Sequence, residues 1–148
     1  MQLSHEKLDV YQKSIQFLAI AMSVIDSLPR DNATLADQFR RAALSVPLNI
    51  AEASGRTGIA DNARHFAISR GSALECAAII DACKVMGFID QTIFQRAKTL
   101  LFAIVAMLSK LSRPKFSLKD QDKVHDIDND QWYGPAPLKS GFKRAIMN

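Results

Sequence analysis

The segment FRRAALSVPLNIAEASGR, Phe39 to Arg56, decides the fold of this chain. At about 100° per residue its apolar side chains gather on one side, as an amphipathic helix requires. The segment also contains Pro47, although an interior proline removes a backbone hydrogen bond and costs roughly 3 kcal/mol. We therefore expect a helix that continues through Pro47 and is stabilised by burial of its apolar side.

Three further helices are predicted around this one. A helix that starts near Ser4 should stop before Pro29, and Thr34 with Asp37 forms a capping box for the second helix. Asp61 or Asn62 should cap the third helix, and Asp90 the fourth. The expected bounds are Ser4–Leu28, Thr34–Gly55, Asp61–Gly87 and Asp90–Ser112.

The short loops predict antiparallel neighbours, so the fold class is all-α, an up-down-up-down four-helix bundle over residues 1–112. The first and second helices should each bury one apolar stripe, and the first helix carries a second apolar stripe beside it that a lone bundle does not need. The stripe expected in the core of the second helix is Leu35, Phe39, Ala42, Ala43, Val46, Ile50 and Ala53. On the first helix the expected core stripe is Leu8, Tyr11, Ile15, Leu18, Met22 and Ile25, and the second stripe is Val10, Phe17, Ala21, Val24 and Leu28.

The helices carry more apolar surface than one bundle needs. The second helix has Leu44 and Leu48 on its outer side, and the fourth is apolar around most of its circumference. Because a four-helix monomer requires one apolar stripe per helix, the surplus predicts self-association. Residues 113–148 mix charges, prolines and isolated aromatic residues, and we interpret them as an irregular, partly disordered tail.

Composition and motifs argue against an enzyme, a cofactor or a metal site. Cys76 and Cys83 lie seven residues apart on one predicted helix, beyond disulfide reach, which indicates core thiols in a reducing, cytoplasmic setting. The apolar run Leu100–Leu108 is too short to span a bilayer, so no membrane partner is expected. Asp126, Asp128 and Asp130 imitate the start of a calcium loop, but glutamine and proline replace its glycine and its bidentate glutamate.

Arg70, on the third helix, is predicted to face the core of the bundle, where an unpaired charge would be costly. Asn49 or Glu52 at the end of the second helix is its expected partner. Such a network would set the helix register, and a polar patch at an oligomer surface or binding groove is the alternative interpretation.

Two segments resemble the signatures of a known family. QFRRAALSVPLNIAEASGR (Gln38–Arg56) and ISRGSALE (Ile68–Glu75) are similar to the 23S rRNA intervening-sequence proteins, and the similarity extends over residues 6–112. Ser54 and Ser69 depart slightly from the family pattern. The resemblance implies a bacterial four-helix bundle, related to accessory proteins of diversity-generating retroelements. It also implies a homopentamer with a basic surface and a proposed role in nucleic-acid binding.

These observations together predict a non-enzymatic homo-oligomer that binds RNA or DNA through phosphates. A scaffold whose ligand is another protein, held by the apolar outer stripes or the tail, is the alternative. The net charge of +4 permits a nucleic-acid partner without requiring one. The candidate phosphate contacts are Arg40, Arg41, Arg56 and Arg64 in the bundle and Lys139, Lys143 and Arg144 in the tail.

Overall fold

The computed structural model describes residues 1–113, which form an all-α bundle without a strand in that range. The four helices are α1 (Asp9–Ser27), α2 (Ala33–Gly55), α3 (Ile59–Val85) and α4 (Gln91–Leu111), and short 3-10 turns precede α1 and α2. Each helix packs against its neighbours in the chain, and α1 also packs against α4. The four helices therefore form a closed antiparallel square with α1 diagonal to α3. The predicted tail lies outside the described residues, apart from Arg113.

Helix α2 runs through Pro47 without interruption, as predicted. Its buried side includes Phe39, Val46 and Ile50, all fully buried, and Pro47 is buried beside them. Because a proline ring in this position is covered by other helices, the loss of its backbone donor is offset by apolar burial. The core stripe predicted for this helix is confirmed, with Leu35 packed at its edge.

Helix α1 turns a different side to the core than the one predicted. Its buried side chains are Val10, Ser14, Phe17, Ala21, Val24 and Ile25. Ile15, from the expected core stripe, is 42% exposed, and the rest of that stripe apart from Ile25 is partly buried. Both stripes are apolar, so periodicity alone could not separate them. In the structure the fully buried Phe17 ring packs against the Phe39 ring of α2, with 6.2 Å between the ring centroids.

Three predicted helix starts were also wrong. The first helix is broken, because Leu8 is extended between a 3-10 turn at His5–Lys7 and α1. Helix α2 starts at Ala33 after Asn32, without a side-chain cap, and Asp37 instead contacts Arg40. Helix α3 starts at Ile59, two residues before the predicted cap, since Asp61 and Asn62 have partners elsewhere.

The turn between α3 and α4 follows the prediction closely. Gly87 has a φ of +75°, the left-handed conformation that glycine adopts without strain. The Phe88 N–H donates to the Cys83 carbonyl at 2.9 Å and the Gly87 N–H donates to the Lys84 carbonyl at 3.1 Å, which completes a Schellman motif. Asp90 then caps α4, because its carboxylate accepts from the Ile93 N–H at 2.8 Å.

Replacement of this cap should weaken the bundle measurably. We expect Asp90→Ala to lower the free energy of unfolding by about 1 kcal/mol, because one amide of the first turn loses its acceptor. Urea denaturation followed by circular dichroism measures the change. Asp26→Ala is the matched control, since Asp26 is exposed near the C-terminus of α1, where a carboxylate gains nothing from the helix dipole. Equal losses in both variants would contradict the capping role.

Candidate nucleic-acid interface

A seam of polar side chains joins α2 to α3 along their length. The Ser69 hydroxyl donates to the Val46 carbonyl at 2.8 Å, and the Ser72 hydroxyl donates to the Ser45 hydroxyl at 2.8 Å. These contacts fix the register of the two helices without an ion pair. They also place the outer residues of α2 and α3 on one continuous face of the bundle.

His65 continues this seam toward the loop between α2 and α3. Its Nδ1 lies 3.2 Å from the Asn49 Oδ1, and its Nε2 lies 3.8 Å from a carboxylate oxygen of Asp61. The Asn49 amide donates to the Ser45 carbonyl at 2.9 Å. Asn49 is therefore part of a hydrogen-bond chain with His65, which the sequence did not indicate.

The network predicted for Arg70 does not form among residues 1–113. Asn49 binds His65, and Glu52 pairs with Arg56. Ser72 faces α2, and Arg70 lies two residues before it on α3. Two residues correspond to about 200° around a helix, so Arg70 points away from α2. Arg70 lies on the same side of α3 as Asp81, three turns later. The Asp81 carboxylate binds Lys98 of α4 at 2.8 Å, so this side of α3 is the one toward α4. Arg70 is half-buried, so its guanidinium does not need the buried partner that we expected.

Arg56 and Arg64 meet at the corner of the bundle where α2 passes into α3. Both approach Asp61: the Arg56 Nε lies 3.4 Å and the Arg64 guanidinium 4.0 Å from its carboxylate oxygens. Arg56 also pairs with Glu52. Arg113, at the end of α4, lines a cavity together with Arg56 and so belongs to the same corner. We call these three arginines the arginine corner.

Arg40 and Arg41 lie elsewhere on the same helix. Fifteen residues separate Arg41 from Arg56, which is about 22 Å along a helix axis. Arg40 binds Asp37 at 3.1 Å, whereas Arg41 is exposed and forms no ion pair with the other residues of 1–113. The four bundle arginines therefore form two separate groups, and three of them are partly compensated by carboxylates. Lys139, Lys143 and Arg144 lie outside the described residues.

Arg113 was missed by the sequence analysis. Pro114 marks the end of the fourth helix in the sequence, and the composition of the chain changes at Arg113. Arg113 was therefore counted as part of the tail. The signal that could have identified it is its position after the last turn of α4. In an up-down bundle, the end of the fourth helix lies beside the connection between the second and third helices.

The two cysteines are buried thiols with little acidity. Burial, assisted by the nearby Glu75 carboxylate, raises the pKa of Cys76 to about 12. Burial also raises the pKa of Cys83. Both side chains therefore stay protonated near neutral pH and pack as small apolar groups, as predicted.

Helix α4 is long and apolar enough to cross a membrane, judged by length and composition alone. Its side chains Ala97, Leu101, Ile104 and Leu108 are buried in the bundle, but only 22% of its most apolar stretch is buried, so the core accounts for part of this composition. Within residues 1–113, no group of three or more His, Cys, Asp or Glu side chains is arranged to hold a metal ion.

Comparison with protein families assigns the fold. Residues 6–110 match the family model described as 23S rRNA-intervening sequence protein. The chain belongs to this family. The match covers most of the chain and all four helices of the bundle, and it includes both segments whose resemblance was noted in the sequence. Among curated proteins, the search found no match.

Membership of the 23S rRNA-intervening sequence protein family accounts for the architecture of the described residues. The two signature segments fall on α2 and α3, the helices joined by the polar seam. Ser69, one of the two departures from the family pattern, donates the hydrogen bond to the Val46 carbonyl within this seam. The arginine corner lies at the end of the same two helices.

Proposed function

We propose that this protein is a non-enzymatic homo-oligomer, a pentamer, that binds RNA or DNA through backbone phosphates in the cytoplasm. The observation that carries the proposal is the arginine corner. Three guanidinium groups gather there, and the described carboxylates in contact with them are those of Glu52 and Asp61. The guanidinium groups gathered there are suitable phosphate ligands, and repetition around a ring would multiply their field.

Exposed apolar side chains support the assembly. Leu48 on α2 is 64% exposed, Leu74 on α3 is 52% exposed and Phe102 on α4 is 79% exposed. Leu48 lies on the outer side of α2, opposite the buried Val46 and Ile50. Leu74 lies on α3 and Phe102 on α4. A contact between these two surfaces of successive copies is heterologous, and it forms a ring where the rotation from copy to copy closes.

Gly71 supports the same interpretation. It lies exposed inside α3, where glycine costs roughly 1 kcal/mol relative to alanine. A Cβ atom at this position would meet nothing within 4 Å, so packing within one chain does not require the glycine. A neighbouring copy that approaches the α3 backbone closely would require it. The number five comes from the family resemblance.

The chemistry of the described residues supports binding rather than catalysis. Ser69 and Ser72 use their hydroxyl groups in the polar seam, and burial raises the pKa of both cysteines. The free, buried cysteines also suit a reducing cytoplasm.

Salt dependence tests the nucleic-acid proposal. We expect RNA or DNA to shift in a gel at about 50 mM salt and to bind at least tenfold more weakly at about 200 mM, as two or more phosphate contacts require. Arg41→Gln, or Arg56→Gln with Arg64→Gln, should reduce the salt slope by about one for each lost contact. Arg30→Gln, at the opposite end of the bundle, is the control. Absence of binding at about 50 mM salt, or binding indifferent to salt, would contradict the proposal.

A protein-binding scaffold is the second candidate, and the exposed Phe102 side chain favours it. Removal of residues 114–148, which keeps Arg113 of the arginine corner, separates nucleic-acid binding from capture by the tail in a pull-down experiment, and Phe102→Ala tests capture through α4. Nucleic-acid binding by the bundle should survive the deletion, whereas capture of a protein partner by the tail should be lost.

A further inference from the structure

A cavity of about 300 Å³ opens beside the arginine corner, between the α2–α3 loop and the end of α4. Arg56, just after the end of α2, and Arg113, just after the end of α4, line it together with Thr57 of the loop. Ala63 and Leu111 supply apolar walls. The described residues that line the cavity include no carboxylate, so both charges face it without an opposing group in its wall.

The Arg56 guanidinium is held in place before any ligand binds. It pairs with Glu52, and its Nε lies 3.4 Å from the Asp61 carboxylate. Both carboxylates lie outside the lining of the cavity. They orient Arg56, so a ligand that binds there does not have to immobilise a flexible side chain.

Arg113 supplies the second charge without such compensation. Within residues 1–113, no carboxylate forms an ion pair with its guanidinium, and the side chain is exposed. The lining side chain of Asn62 is already committed, since its amide donates to the Ala53 carbonyl at 2.8 Å. Two guanidinium groups and one hydroxyl therefore remain available to a small anion with several acceptor oxygens.

We propose that this cavity binds a phosphate monoester, with Arg56 and Arg113 as a clamp and the Thr57 hydroxyl as an additional donor. A monoester carries nearly two negative charges at neutral pH and three acceptor oxygens, which suits two guanidinium groups better than a singly charged diester. The terminal phosphate of a nucleic-acid strand presents this group. The inference rests on the proposed function, in which the protein binds RNA or DNA. It adds that the protein distinguishes phosphorylated strand ends.

Fluorescence anisotropy with one short RNA, bearing a 5′-phosphate, a 3′-phosphate or neither, tests the proposal on the full chain. We expect at least tenfold tighter binding of a phosphorylated end, as charge-assisted hydrogen bonds provide. Arg113→Gln should abolish the difference. Arg96→Gln, an exposed arginine on the α1–α4 face, should preserve it. Thermal unfolding in inorganic phosphate, compared with chloride at equal ionic strength, provides a readout without nucleic acid.

The outcomes separate this inference from the proposed function. Equal, salt-sensitive binding of all three RNAs would overturn the phosphate site and leave nucleic-acid binding intact. Stabilisation by inorganic phosphate that Arg113→Gln removes, without binding of any RNA, would support the site and refute the proposed function. If Arg113→Gln lowers the melting temperature but keeps the preference for phosphorylated ends, Arg113 acts through the C-terminal dipole of α4, and the clamp is wrong.

Discussion

Phe39→Ala should lower the free energy of unfolding by about 3 to 5 kcal/mol, a large part of the stability of a domain of this size. Phe39 is fully buried, and its ring packs against the Phe17 ring across the α1–α2 contact. The substitution removes the apolar transfer free energy of the ring and leaves a cavity that α1 and α2 can fill only in part. Chemical denaturation at a fixed protein concentration measures the loss.

Phe102→Ala is the matched control, because it removes the same atoms from a ring that is 79% exposed. In the monomer we expect a change below about 1 kcal/mol. If Phe102 also contributes to assembly, its effect will depend on protein concentration, whereas the effect of Phe39→Ala persists at every concentration. Equal losses in dilute protein would contradict the core position of Phe39.

Leu48→Glu should prevent self-association and leave the bundle folded. Leu48 lies on the outer side of α2, where glutamate is a good helix former and stays hydrated in the monomer. At an interface the same carboxylate would be buried without a partner. We therefore expect the dissociation constant of the assembly to rise at least about a hundredfold. Sedimentation velocity should show the wild-type protein as a complex and the variant as a single chain.

Gln16→Glu provides the control for this experiment. It adds the same charge on α1, at an exposed position that lines the groove toward α4. We expect this variant to sediment with the wild-type protein. A monomeric wild-type protein at micromolar concentration would refute the assembly itself. A Leu48→Glu variant that assembles normally would exclude the outer side of α2 as the interface.

Much of the fold follows from local signals in the sequence. Gly87 and Asp90 determine the end of α3 and the start of α4, because one needs a left-handed backbone and the other supplies a side-chain acceptor close in sequence. Asn62 shows why the other ends were harder to predict. Its side chain caps the last turn of α2 across the loop, although its sequence position suggested a cap for α3. A cap residue can serve either neighbouring helix, and the choice depends on their packing.

The candidate site was less predictable than the fold. Arg56 and Arg64 were named, and their shared contact with Asp61 follows from the short loop. The partners of Arg70 were wrong, since a wheel for one helix does not identify which neighbour lies on each side. Arg113 was missed because it was assigned to the tail, although the predicted up-down topology places the end of α4 beside the α2–α3 loop. Contacts between distant elements depend on packing that no short motif specifies.

The polar seam has a consequence for the order of folding. Its hydrogen bonds join Ser45 to Ser72, Val46 to Ser69 and Ala53 to Asn62, and these pairs become shorter in sequence toward the loop. Contacts between residues so close along the chain cost little loop-closure entropy. We therefore expect the α2–α3 hairpin to form first, with its contacts forming from the loop outward, and α1 and α4 to pack onto it later. Substitutions in the seam should then slow folding, whereas substitutions on the outer side of α1 should mainly accelerate unfolding.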